Sequence, residues 1–412
     1  MIQSAGNKPA VFVDSGEKMH VINKICLTET PVMNIIFQDG NVMHINFKED
    51  SQMKKVLALL LVSVMLLGCV SLAGAETEFD PDLVAAAKAE GELIVYGSCE
   101  EEYLQAACDG FEKLFGIKVT HQRLSTGEVQ SKIEEENGNP SADVWFGGTT
   151  DPYNVAAKEG LLLPYEAKNA VHLLGPAYRD AEGAWYGIYK GILGFMVNTE
   201  ELERMKLEAP QDWADLLKPE YKGLIWLSNS TTAGTAKLVI NTMIQKYGHD
   251  EGIQYLVDLD KNIQVYTKSG SGPSKNVGTG ECVIGIGFLH DGIYQIVDNG
   301  YDNIGLVIPS SGTSFEIGAT AIFKGAKHEA AAKLWIEYAL SPECVEQADE
   351  FGSYQFLVID NAEQPEQAAK FGLDPENVMD YDFEDAKNNI TTYIAEVMEA
   401  LGAAADDRFQ TK

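Results

Sequence analysis

From residue 83 onward, short apolar runs alternate with segments whose apolar residues recur at helical spacing. Residues 83–90 predict a short helix, 92–96 a strand ending at Gly97-Ser98, and 101–115 an amphipathic helix. A strand at 116–120 and a helix at 127–136 follow. The next strand, 142–146, closes on Gly147-Gly148-Thr149-Thr150, and a helix at 152–159 is capped by Gly160. After a crossover the pattern recurs, with strands at 194–198, 223–227, 263–266 and 283–288 and helices at 233–247 and 251–258. Apolar strands alternating with helices predict parallel β/α layers rather than a sandwich. Residues 374–412 read as helices with acidic faces, packed across a second lobe.

The pattern ahead of residue 76 is of another kind. Lys54 and Lys55 precede an apolar stretch, 56–67, which runs into small residues. That is the layout of a bacterial export signal over 53–75, too short and too soon followed by acidic sequence to span a membrane. Leu66-Leu67-Gly68-Cys69 resembles a lipobox, whose cysteine is lipidated and becomes the mature N-terminus. Ala73-Gly74-Ala75 offers a competing cleavage site; lipidation at Cys69 is the preferred reading. The mature chain is therefore expected in the periplasm or on the outer face of the cell membrane. Because the positive region normally opens a chain, Met53 is the expected initiator and 1–52 an upstream over-extension. Its apolar runs, 10–13 and 33–37, are candidate strands.

Of 412 residues, about 335 follow the signal, enough for two domains or one bilobal unit. The net charge of −31 argues against nucleic acid and anionic membrane surfaces as partners, since phosphate backbones demand basic patches. Beyond Cys26 and Cys69, the chain holds Cys99, Cys108, Cys282 and Cys344, with no CxxC pair. They assign no disulfide framework.

Three strand ends share one chemistry: Gly97-Ser98, then Gly147 to Thr150, then Ser228 to Thr232 with Gly234 and Thr235. In an open α/β sheet, ligands settle at the carboxyl ends of strands. Backbone N–H groups and hydroxyls there bind anions without a lysine. Each cluster by itself is better explained by helix capping than by a ligand, and it is their recurrence at one sheet edge that points to a site. A further polar block contains Thr267 to Lys275, including Ser269 and Ser271, then His290-Asp291 after the strand 283–288, then Glu316 in a loop, 309–318. His290, Asp291 and Glu316 have the chemistry to bind a polyol; capping and a solvated loop carboxylate are the plainer alternatives. No GxSxG elbow, GxxxxGK[ST] loop or HExxH helix is present, so an enzyme is not expected. A secreted phosphatase or hydrolase and a surface adhesin are the competing classes.

From Gly91 to about Ser341 the chain resembles the solute-binding receptors of bacterial ABC importers, in the branch that binds ferric ion, thiamine, aminoalkylphosphonate and sugar phosphate. The resemblance rests on Ile94-Val95-Tyr96-Gly97-Ser98, Phe111-Glu112-Lys113, Gly116-Ile117-Lys118-Val119, Ala142-Asp143-Val144-Trp145 and Pro210 to Leu216. It continues through Lys218 to Gly223, Gly280-Glu281 and Lys324 to His328 with Ala332-Lys333. It implies a two-lobed, type II periplasmic-binding-protein-like fold, each lobe a mostly parallel sheet flanked by helices, with the ligand cleft between. Residues 76–192 and 307–345 are expected in lobe 1, and 193–306 and 346–412 in lobe 2. Hinge strands are expected near Lys190-Gly191-Ile192 and Val307-Ile308-Pro309. Ferric binders typically carry two adjacent tyrosines where this chain has Leu289-His290-Asp291, with Tyr294 alone nearby. The runs around Thr267, His290 and Glu316 are more similar to the sugar-phosphate binders. That resemblance implies His290, Asp291 and Glu316 on sugar hydroxyls. It places the phosphate among Ser98, Thr126, Gly148, Thr149, Thr150, Ser230, Thr231, Thr232, Ser269 and Ser271. It further implies a monomer that takes a small anionic ligand and hands it to an ABC permease and its ATPase, with no cofactor and no resident metal. Ferric iron and aminoalkylphosphonate are the alternative ligands.

Overall fold

A computed structural model of the protein describes residues 33–36, 42–45 and 77–402. The first strands, β1 (Met33–Ile36) and β2 (Val42–Ile45), form an antiparallel hairpin. The partner of 33–36 is thus 42–45. The run 10–13 lies outside the described residues, as do the export signal and Cys69. The hairpin and the chain from Thr77 belong to separate compact units, and all that follows concerns the second.

After α1 (Pro81–Glu90), which ends at left-handed Gly91, come β3 (Glu92–Gly97), α2 (Glu101–Phe115), β4 (Lys118–Arg123), α3 (Thr126–Glu136), β5 (Val144–Thr149) and α4 (Thr150–Lys158). β3 pairs in parallel with both β4 and β5. Asp143, buried just before β5, ties the sheet to its distant cover. One of its oxygens accepts from Ile94 N at 2.8 Å. The other accepts from Lys327 N and His328 N at 2.9 and 3.0 Å. A carboxylate so fully bonded costs little to bury.

The expected strand at 194–198 is the end of a longer one, β6 (Tyr186–Asn198), buried along its whole length. The chain continues through α5 (Thr199–Met205), β7 (Ile225–Ser228), α6 (Gly234–Tyr247), α7 (His249–Asp260), β8 (Ile263–Thr267), α8 (Gly272–Val277), β9 (Ile284–Phe288), α9 (Leu289–Val297), β10 (Ile304–Val307) and β11 (Phe315–Ile322). Residues 186–192 of β6 pair with β11, and residues 193–197 pair with β9. One strand thereby belongs to both lobes, and the order β4-β3-β5-β11-β6-β9-β7-β8 runs through it. Both lobes keep parallel pairs, β3 with β4 and β5, β7 with β8 and β9, while β6 and β11 pair antiparallel. The second crossing lies between β10 and β11.

The last elements are α10 (Glu329–Ala339), α11 (Pro342–Val345), α12 (Gln347–Glu350), β12 (Phe356–Leu357), α13 (Glu366–Lys370) and α14 (Phe383–Leu401). They correct the expected allotment of 346–412 to lobe 2. β12 pairs with Lys190 and Tyr189 in the lobe 1 half of β6, and α12 packs on α2, because an unfilled sheet position remains beside β6 there. Only beyond them does the chain return to lobe 2, where α14 lies on α6 and α7.

Each lobe has its own core. Lobe 1 is built on Phe111, Phe146, Trp335 and Tyr338, and lobe 2 on Phe195, Trp213, Met243 and Ile284. Trp145, Trp185 and Tyr186 are packing residues: Trp145 stacks on Tyr153 at 3.9 Å, and Trp185 donates to Asn154 Oδ1 at 2.9 Å. The four described cysteines are buried free thiols. Trp335 is fully buried, with its ring edge-on to Phe146 at 5.3 Å and tilted against Phe111 at 5.4 Å. Trp335→Ala is expected to destabilise lobe 1 by about 3–5 kcal/mol, measured as a lowered urea midpoint at unchanged far-UV circular dichroism before the transition.

Candidate functional site

The carboxyl ends of the strands from both lobes face one cavity of about 530 Å³. Lobe 1 contributes Ser98 and Glu100 after β3, Arg123 at the end of β4, Ser125 and Thr126 at the start of α3, and Gly148 and Thr149 at the end of β5. Lobe 2 contributes Gly234 and Thr235 at the start of α6, Ser269 and Ser271 after β8, Lys275 on α8, and His290 and Asp291 after β9. Tyr189 on β6 and Glu316 on β11, the two strands next to the crossings, complete the wall.

Of the residues singled out in the sequence, Ser98, Thr126, Gly148, Thr149, Ser269, Ser271, His290, Asp291 and Glu316 line this cavity. Thr150, Ser230, Thr231 and Thr232 do not. Thr150 opens α4 with its side chain buried. Asn229 Oδ1 closes a local turn by accepting from both Thr231 N and Thr231 Oγ1 at 2.8 Å. The Thr232 carbonyl accepts from Gly127 N at 3.1 Å and Ser125 Oγ at 2.7 Å, so this loop clamps lobe 2 onto lobe 1. Glu316 sits in a strand, not a loop, because the polar run 309–318 passes into β11 at Phe315.

Sequence reasoning missed Glu100, Arg123, Ser125, Tyr189 and Lys275. Arg123 carried a signal: β4 runs three residues beyond the expected 116–120, which brings it to the same sheet edge as Ser98 and Thr149. Glu100 carried none.

One imidazole stands among three carboxylates. His290 Nε2 lies 3.5 Å from Glu100 Oε1 of lobe 1 and 3.8 Å from Glu316 Oε1, with Asp291 beside it. Burial alone would lower the pKa of His290, but Glu100, Asp291 and Glu316 together lift it to about 9. Burial would raise that of Glu100; His290, its own backbone and Gln355 outweigh it and hold the carboxyl at about 2. For Glu316, burial dominates and raises the pKa to about 8, with Glu100 and Asp291 adding to it against His290. Asp291 is pushed by burial to about 6. Ligand atoms of Glu100, His290 and Asp291 lie within 4.8 Å of one another, the one grouping among the described residues that could hold a cation.

Donors line the same cavity. Arg123 Nε donates to the Cys99 carbonyl at 3.1 Å and its Nη1 to Ser269 Oγ at 3.4 Å. The Gly148 amide donates to Tyr189 Oη at 2.7 Å. Gly148 has φ +81°, and a Cβ there would meet Thr126 Oγ1 at 2.4 Å, so only glycine permits this turn. α6 begins at Gly234, and Ala233 before it gives the first amides no side-chain cap. Beside it, Thr149 Oγ1 is buried with no partner.

Gly191 sets the geometry of the carboxylate wall. It faces Glu316 across the β6–β11 ladder, and a Cβ on it would stand 2.6 Å from His290 Cε1 and 2.9 Å from Glu316 Oε1. Gly191→Ala is expected to push the imidazole away from its carboxylates and lower the His290 pKa from about 9 by at least one unit. An NMR titration of the imidazole checks this, with the melting temperature as control for the fold.

Residues 106–371 match the family model for bacterial extracellular solute-binding proteins. A protein of Haemophilus influenzae is 38% identical over 304 residues, covering 73% of this chain and 87% of its own. The periplasmic binding protein AfuA of Actinobacillus pleuropneumoniae, solved with fructose 6-phosphate bound, is 35% identical with a TM-score of 0.72, over 76% of this chain and 99% of that one. The Fe(3+)-binding periplasmic protein of Serratia marcescens is 25% identical over 61% of this chain and 75% of its own. With its two-lobed α/β fold and a cleft between the lobes, the chain belongs to the bacterial extracellular solute-binding proteins, the non-catalytic receptors of ABC importers.

Proposed function

We propose that the cleft captures a phosphorylated polyol, a sugar phosphate above all, for delivery to an ABC permease and its ATPase. The observation that carries this reading is that one cavity is lined by two unlike sets of groups. Arg123, the hydroxyls of Ser98, Thr126, Thr149, Ser269 and Ser271 and the first amides of α6 suit a phosphate, which needs many donors and no acceptor. His290, Asp291, Glu100 and Glu316 suit hydroxyls, which both donate and accept. The likeness to the fructose 6-phosphate-bound protein supports the same assignment. A ferric reading draws on the Glu100–His290–Asp291 grouping and the Serratia relative. The donor residues would then have no task.

Ligand contacts both lobes in this reading, so it stabilises the closed arrangement by interactions that an open one lacks. Thr150, Ser230, Thr231 and Thr232 take no part in ligand contact. The mature chain acts as a monomer outside the cytoplasm, held to the membrane by lipid on Cys69.

Thermal melting of the purified protein against fructose 6-phosphate, glucose 6-phosphate, inorganic phosphate, 2-aminoethylphosphonate, fructose and ferric citrate tests the assignment. Hexose 6-phosphates are expected to raise the melting temperature by mass action, and fructose and ferric citrate to leave it unmoved. Stabilisation by iron alone, with a visible absorption band, would restore the ferric reading. Arg123→Ala removes a charged donor and is expected to weaken hexose phosphate binding by about 10- to 100-fold in calorimetry.

A further inference from the structure

We propose that Glu316 is an un-ionised carboxylic acid in the working receptor, and that its proton is donated to an oxygen of the ligand. The argument is one of charge and hydrogen-bond inventory. Three carboxylates, from Glu100, Asp291 and Glu316, surround the His290 imidazole, and the other two cations that line the cavity, Lys275 and Arg123, act on Asp291. Buried carboxylates in such number do not all ionise around one positive charge.

Their surroundings decide which keeps a proton. Glu100 is furnished as an anion: Ser353 Oγ lies 2.9 Å from one oxygen, Gln355 Nε2 donates at 3.2 Å, and His290 Nε2 is the nearer to it. Asp291 feels Lys275 and Arg123 in addition to His290. Glu316 is 4% exposed, with the shared imidazole at 3.8 Å and no hydrogen bond donated to it among the described residues. The groups around it point the same way. Glu100 follows β3, His290 and Asp291 lie on α9, and Tyr189 on β6 is a phenol held neutral by burial. The next cation on β6, Lys190, is turned to the Pro375 carbonyl and the Phe315 ring. Desolvation at Glu316, with the shift to about 8, agrees with this inventory.

A protonated Glu316 selects for ligand chemistry. It offers a donor to a hydroxyl, ring or carbonyl oxygen, and it removes one negative charge from the wall that an anionic solute must approach. An ammonium or metal ion would favour the ionised form instead. The inference rests on the sugar-phosphate reading only for the identity of the ligand; the proton itself is measurable without one.

Infrared difference spectra of wild type minus Glu316→Gln, taken on ligand-free protein between pH 6 and 9.5, test it first. The C=O stretch of a protonated carboxylic acid is expected at pH 7 and should vanish with a midpoint near 8. Its absence at pH 7 overturns the proposal whatever the cleft binds. Fructose 6-phosphate affinity is then compared between pH 7 and 8.5. Wild type should weaken about fourfold, as a required acid with a pKa about 8 demands. Glu316→Gln keeps a donor that does not titrate and should weaken by less than about 1.5-fold over the same range. Parallel profiles for the two proteins would overturn the donor role. If the infrared band is present but no sugar phosphate binds, the ligand reading falls and the protonated Glu316 stands.

Discussion

The contact between Glu100 and His290 is the constraint on which the cleft depends, because its two halves come from different lobes. A buried imidazolium is costly unless carboxylates face it; Asp291 is its neighbour on α9, and the carboxylate of Glu100 reaches it only when lobe 1 meets lobe 2. Glu100 is positioned by Ser353 and Gln355, which lie in the segment that returns to lobe 1 and adds β12 to the sheet. That return looks like a decoration of the fold, yet it holds the anion that fixes the charge of His290. Similar logic governs the clamp of Thr232 on Ser125 and Gly127 and the pairing of Lys268 with Glu128 at 2.5 Å. Polar groups that are satisfied across the lobes make closure specific rather than merely sticky.

β6 gives this closure its axis. A strand paired with β11 over one half and β9 over the other cannot let the lobes separate freely; it can only bend or twist between them. Gly191 lies at that junction and also under the ring of His290. Hinge and binding wall therefore meet in one residue, so a change in strand geometry there is felt directly by the groups that touch solute.

The α/β class and most element positions were legible because the apolar runs of β3, β5, β7 and β9 are compact and bounded by glycine or helix caps. What was not legible has physical reasons. Residues 186–193, Tyr-Gly-Ile-Tyr-Lys-Gly-Ile-Leu, mix glycine and lysine into a strand covered on both faces, so no alternation marks it. Glu316 sits five residues after the pair Ser310-Ser311 in a run rich in serine and glycine, which reads as loop until Phe315. Glu100 looks like one more acid ahead of α2, beside Glu101 and Glu102. Only partners 253 and 255 residues away distinguish it. Cavity residues at strand ends were found by rule, and those oriented by distant contacts were not.

Net charge seemed at first to oppose an anionic solute, since the chain carries −31. Exposed charges are screened within about 8 Å at physiological ionic strength, so the surface sets only a weak background inside the cleft. Affinity is decided by the groups in contact. In the proposed reading, Arg123 and the first amides of α6 supply the attraction, and the hydrogen bonds of Arg123 go to the Cys99 carbonyl and Ser269 Oγ rather than to a carboxylate. Among the carboxylates, His290 offsets Glu100, and the proton proposed on Glu316 would offset another. On the proposed sugar-phosphate reading, an acidic protein holds a phosphate ester by hiding its negative charge where the ligand has hydroxyls and turning donors to it where the ligand is charged.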